Sequence, residues 1–158
     1  MDPPRETFLC NDGIERSLYD VHMDGASVFS FSITDVPESI QEFLEHTGTN
    51  AENYDLFLFH QANQFILRQL AKKFRLPQGK VPISLDQYGN TGGVSIPLTL
   101  CANWGGRDDG RKKVLMVGFG IGLSWGIMDA SVDTAAVFPV VRTDDWFREG
   151  RITAELFG

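Results

Sequence analysis

The chain has 158 residues, 42% hydrophobic and 22% charged, with a net charge of −7, the proportions of a globular unit with one core. The acidic balance excludes a general nucleic-acid binder, which needs clustered cations. The opening MDPPRETFLC lacks a signal-peptide pattern. The longest uncharged apolar run, 114–128, is broken by four glycines and is too short to cross a bilayer, so a cytoplasmic protein without a membrane span is expected.

Residues 1–25 are polar and weakly periodic and read as an arm or loop remnant. Residues 26–33, ASVFSFSI, alternate small or polar residues with Val28, Phe29, Phe31 and Ile33, and predict a strand. In DVPE, Asp35 and Glu38 are capping residues and Pro37 suits a first turn. With Gly48 for a left-handed end, they predict a helix over 36–47 that buries Ile40, Phe43 and Leu44. Residues 54–59 predict a second strand. Residues 61–75 predict a second helix, with Ala62, Phe65, Ile66, Leu70 and Phe74 at three- and four-residue spacings. Residues 81–85 read as a third strand, and DQYGNTGG at 86–93 as turn chemistry. A third helix over 95–104 carries Pro97 in its first turn and has no polar face, so burial on all sides is expected. Strands at 113–117 and 123–132 follow, joined by the GFGIG turn.

The order is β-α-β-α-β-α-β-β. It predicts an α/β fold with a mixed five-stranded sheet, mostly parallel, helices on both faces and an antiparallel final pair. Ligands of such sheets gather at the carboxyl ends of strands. His60, Asn90 and the GFGIG turn all fall at that edge.

His60 is either a histidine satisfied by local hydrogen bonds or a functional imidazole, and Asn90 is either a turn former or a donor. Their shared position beside a glycine turn, where backbone N–H groups approach a ligand closely, favours the functional reading of both. GFGIGL superficially suggests a dinucleotide fingerprint. Leu123 stands where the last glycine belongs, however, and a strand rather than a helix follows, so no nicotinamide cofactor is expected. Cys101 reads as a small apolar side chain, Cys10 has no local activator, and their spacing suits neither a disulfide framework nor a metal. His22 and His46 read as surface residues.

HQAN at 60–63, SLDQYGNTGGVSIP at 84–97 and VGFGIGLSWG at 117–126, in that order, resemble the C-terminal half of the ketoacyl-acyl-carrier-protein synthase III family. HMDGASVFSFSI at 22–33 resembles the segment by which that family enters its second half. The resemblance implies one thiolase-like half. It divides the chain into an arm at 1–25, the half-domain at 26–132 and a tail extension of unassigned role at 133–158.

The resemblance further implies an acyltransferase of fatty acid biosynthesis that joins an acyl thioester, such as an acyl-CoA, to malonyl-carrier protein by decarboxylative condensation. It makes His60 and Asn90 the catalytic donors, the Ile121 backbone N–H an oxyanion donor, Phe119 a pocket wall and Asn63 a supporting residue. Arg68, Lys72 and Lys73 are implied to dock the acyl carrier protein, although Phe65 stands where the family often has arginine. The family's nucleophilic cysteine lies over a hundred residues before the histidine, and only 59 residues precede His60 here. This chain is therefore expected to need an N-terminal half of the same enzyme, and to be inactive alone. A homodimer, formed through the face of the 95–104 helix left open in a half-fold, is also expected. Two other readings stay open: a non-catalytic half-domain that binds a partner chain or carrier, and a fragment of a chalcone-synthase-like condensing enzyme.

Overall fold

The computed structural model describes residues 6–10, 13–20 and 23–144. His22 and the DDWFREGRITAELF end of the chain, apart from Asp144, lie outside them. The arm forms a small antiparallel hairpin, β1 (Thr7–Leu9) with β2 (Glu15–Ser17).

The main sheet has three strands in the order β3 (Leu56–Phe59), β4 (Arg111–Gly120), β5 (Ser124–Asp133). β3 runs parallel to β4, and β4 antiparallel to β5. The mixed α/β fold and the antiparallel final pair are as expected, but the sheet has three strands rather than five.

Two of the expected strands account for the difference. Residues 26–33 are helical: α1 spans Gly25–Ile33. Their period-two apolar pattern suggested a strand, yet the Asp24 carboxylate accepts from the N–H groups of Ala26 (3.0 Å) and Ser27 (3.2 Å), satisfying the start of a helix. The helical turn brings Val28 and Phe31 onto the core together. Residues 81–85 form no ladder either. Pro82 has no N–H, and the Ser84 N–H is taken by the side chain of Gln61 (3.0 Å), so the segment cannot add to the sheet. It leads into the short helix α4 (Leu85–Tyr88).

α2 (Asp35–Thr47) ends at Gly48 with φ 64°, the left-handed cap expected there. Its first turn differs in detail. Thr34 occupies the cap position, but its hydroxyl donates back to the Ser30 carbonyl (2.9 Å) and does not cap, while Asp35 and Glu38 complement the positive end of the helix. α3 (Gln64–Lys73) starts three residues later than expected, because the Asn63 side chain accepts from Ile66 N–H (2.9 Å) and fixes the cap there. α5 (Ser95–Trp104) matches the expected range.

All four residues of β3 are buried, at most 4% exposed, so both faces of this strand are covered. On one face Phe57, Phe59, Leu115, Val117 and Phe119 meet Phe31 of α1, Ile40 and Leu44 of α2, and Ile66 and Leu70 of α3. On the other, Leu56, Leu58 and Val114 meet Ile96, Leu100 and Trp104 of α5. Helices thus cover both faces. α5 is not buried all round, however. Ser95 and Thr99 are buried, while Pro97 and Ala102 are exposed and Leu98 and Cys101 half-buried, leaving its outer flank open in this chain. Beyond β5, Thr134 is fully buried and donates to the Gly110 carbonyl (2.9 Å), and Val137 accepts from Gly106 N–H (2.9 Å). The start of the expected tail is thereby packed against the loop after α5.

Candidate active site

β3 is an apolar strand covered on both sides, and it ends where its backbone leaves the core. His60 follows at once, its N–H donating to the Val117 carbonyl on β4 (2.9 Å), so the main chain at the imidazole is fixed by the sheet. The ring stands edge-on to Phe119, 5.3 Å between centroids at 89°. Its Nδ1 lies 2.7 Å from the hydroxyl of Ser95, the first residue of α5. Half-burial among these groups holds the imidazole below its ordinary value of 6.5, and a backbone hydrogen bond with Gly92 opposes that shift without reversing it. His60 is thus neutral at neutral pH.

Asn90 sits in the exposed loop between α4 and α5, and its Oδ1 accepts from Gly92 N–H (3.0 Å). With the carbonyl end committed, the NH₂ end is the one left to donate. Gly89 (φ 68°) and Gly92 (φ 60°) flank it in left-handed conformations that only glycine adopts without strain.

His60, Asn90 and Ser95 line one cleft of about 530 Å³ together with Asn63, Phe119 and Ile121. Val28, Phe29, Ile66 and Ile96 supply much of its apolar wall. The strand end, the loop before α5 and the turn after β4 therefore meet as expected from their places in the sequence. Ile121 is 65% exposed at the turn, Phe119 6% exposed beneath it. Arg68, Lys72 and Lys73 lie apart from the cleft, on the exposed face of α3, with Phe65, itself 56% exposed, one turn before Arg68. His46 is exposed on α2. Both cysteines are free and half-buried, and neither lines the His60 cleft. Among the described residues there is no cluster of side chains able to hold a metal, and no helix long and apolar enough to cross a membrane.

Two residues of this site were not singled out from the sequence. Gln61, 1% exposed, turns inward, donating to the Phe59 carbonyl (3.0 Å) and accepting from Ser84 N–H (3.0 Å). Ser95, also 1% exposed, holds His60. The available signal was the pair Ser95 and Thr99. They are polar residues four apart, hence on one face, in a largely apolar helix.

A half-unit with helices on both faces of a mixed sheet, a histidine at the end of β3 and an asparagine in the loop before α5, is of the thiolase-like class. Solved structures agree. A 3-oxoacyl-(acyl-carrier protein) synthase from Burkholderia xenovorans LB400 superposes with a TM-score of 0.69 at 38% identity, over 75% of this chain and 34% of that one. A 3-oxoacyl-(acyl-carrier-protein) synthase III superposes with a TM-score of 0.71 at 32% identity, over 80% of this chain and 38% of that one.

The chain belongs to the family described as 3-oxoacyl-[acyl-carrier-protein (ACP)] synthase III C terminal, which matches residues 44–130. The beta-ketoacyl-[acyl-carrier-protein] synthase III of Streptococcus gordonii is 41% identical over 113 residues, 70% of this chain and 35% of that protein. The same enzyme of Streptococcus uberis is 41% identical over 128 residues, 79% of this chain and 39% of that protein. The chain thus spans a little over a third of the length of these relatives.

Proposed function

We propose that this chain supplies the donor half of a decarboxylative condensing enzyme, working with a first half that carries the nucleophilic cysteine. The observation that supports this most is the convergence of His60, Asn90 and Ile121 on one largely apolar cleft. In the proposed reaction an acyl group is held as a thioester on that cysteine. The bond from the malonyl thioester's α-carbon to its carboxylate breaks, CO₂ leaves, and the electron pair moves to the thioester oxygen as an enolate. The α-carbon then attacks the acyl thioester; the new carbon–carbon bond forms and the cysteine sulfur departs as thiolate.

The charge appears only as CO₂ is lost, so fixed neutral N–H donors aimed at that oxygen stabilise the transition state more than the ground state. A neutral imidazole N–H at His60 and the Asn90 NH₂ fit this role. Because His60 stays neutral, no proton has to be shed first. The apolar walls keep water from the enolate and raise the value of each donor. The Ile121 N–H serves the second oxyanion, the one formed when the acyl thioester is attacked. Arg68, Lys72 and Lys73 offer a cationic stripe on α3 for an acidic carrier protein, on a chain otherwise acidic.

The test is reconstitution. This chain is mixed with a first half from a relative, and condensation of acyl-CoA with malonyl-carrier protein is measured. Activity in the mixture that is lost in His60→Ala supports the reading. No activity in a stable complex of the two would favour a partner-binding half-domain without catalysis, and turnover on CoA thioesters alone would favour the chalcone-synthase-like reading.

A further inference from the structure

Behind His60 lies a set of buried polar side chains that the condensation chemistry does not by itself require. Gln61, Ser84, Ser95 and Thr99 are each at most 3% exposed. Their hydrogens can be followed. The Thr99 hydroxyl donates to the Ser95 carbonyl (2.7 Å), so its oxygen accepts from the Ser84 hydroxyl (2.7 Å). Ser84 N–H donates to Gln61 Oε1 (3.0 Å), and Gln61 N–H donates to Ser95 Oγ (3.3 Å). Ser95 Oγ also lies 2.7 Å from His60 Nδ1.

We propose that Ser95 is a positioning residue which sets the tautomer of His60, its hydroxyl donating to Nδ1 so that the ring proton stays on Nε2, the nitrogen left for the cleft. The Gln61 amide can only donate, so Ser95 Oγ accepts from it and has one hydrogen to place. Among the described residues, His60 Nδ1 is the acceptor paired with that oxygen. Were the ring proton on Nδ1, the oxygen would face two donors and the hydroxyl hydrogen would be buried without an acceptor, an unfavourable arrangement. With the proton on Nε2 every member of the set is satisfied. Thr99 and Ser84 hold Ser95 and Gln61 in place, so the orientation is built into α5 and the loop before it. The Gly92 backbone bond raises the ring's hold on its proton, so Gly92 accepts from the imidazole and cannot supply Nδ1 with a hydrogen when Ser95 is changed. This inference rests on the reading of His60 as a neutral N–H donor and names what gives it that form.

Imidazole nitrogens with and without a proton have distinct ¹⁵N shifts, so the tautomer can be read directly in the full chain. The measurement is a long-range ¹H–¹⁵N correlation spectrum of histidine-labelled protein, taken at about pH 8, above the ordinary histidine range, with His60 assigned by its loss in His60→Gln. The wild type should show Nε2 protonated and Nδ1 bare. Ser95→Ala should lose that preference, with an Nδ1–H population appearing, and Ser95→Thr, which keeps the hydroxyl, should restore the wild-type pattern. A wild-type ring protonated on Nδ1, or a Ser95→Ala spectrum identical to wild type, would overturn the proposal. If Ser95→Ala does not fold, the wild-type spectrum still decides on the first of these grounds, and Ser95→Cys, with its weaker donor, provides the comparison. In the reconstituted enzyme Ser95→Ala should lower kcat with KM unchanged, and Ser95→Thr should recover it. A wild type with the expected tautomer but no condensation activity would reject the proposed function and leave the role of Ser95 standing.

Discussion

Gln61 follows the histidine directly, and its predicted function is mechanical. Its side chain ties the end of β3 to the segment that leads to Asn90, through Ser84 N–H at 3.0 Å and the Phe59 carbonyl at 3.0 Å. Gln61→Met keeps the length and approximate volume and removes both polar atoms. The Ser84 amide, at a residue 3% exposed, then lacks its acceptor. A buried unpaired donor costs about 1–3 kcal/mol and the lost neutral bond to Phe59 about 0.5–1.5, so the expected destabilisation is about 2–4 kcal/mol. With a urea slope of about 2 kcal/mol/M, the unfolding midpoint falls by about 1–2 M. Urea titration followed by the fluorescence of Trp104 and Trp125 measures it. Gln64→Met, on the exposed face of α3, is the matched control, expected within about 0.5 kcal/mol of wild type. A Gln61→Met midpoint as close to wild type as that control would refute the bracing role.

Because His60 is held below its ordinary 6.5 by burial, the unfolded chain takes up the proton first as pH falls. Stability at this residue is therefore full above that value and declines below it, levelling once the folded ring also protonates. Urea midpoints at pH values from about 8 to 5 should show this loss in wild type and not in His60→Gln, and parallel curves would contradict it. Gly105→Ala would place a Cβ 2.4 Å from the Cys101 carbonyl oxygen and from Pro139 Cα, and 2.6 Å from the Phe138 oxygen. All three are backbone atoms, so residues 137–139 should detach from the end of α5, seen as faster hydrogen exchange at Gly106, whose N–H donates to the Val137 carbonyl, whereas unchanged protection would refute the contact. The open flank of α5 predicts concentration-dependent association in sedimentation, reduced by Leu98→Glu; a wild-type chain that stays strictly monomeric would contradict it.

What the sequence revealed, and what it hid, follows from the range of the interactions involved. α2 was legible because Pro37 and Gly48 mark its ends locally, and β3 because an unbroken LFLF run suits a strand covered on both faces. α1 was misread because Phe29, Phe31 and Ile33 fall at a strand's period, while the competing signal, the Asp24 cap, lies outside that pattern. The third strand failed because Ser84 N–H is claimed from 23 positions away. His60 and Asn90 could be picked out by their places at a strand end and in a turn. Ser95 could not be picked out in the same way, since its partner lies 35 positions away and nothing beside it in the chain suggests the pairing.

The central claim is that His60 and Asn90 donate to an oxygen whose charge develops as CO₂ leaves. Decarboxylation tests this more directly than the full reaction does. The measurement is the rate of CO₂ release from malonyl-carrier protein by the reconstituted halves, for wild type, His60→Ala and Asn90→Ala. Each variant should fall by roughly 10²–10³-fold, the loss typical of one oxyanion donor, with little change in carrier binding. Release of CO₂ at the wild-type rate in either variant would contradict the account.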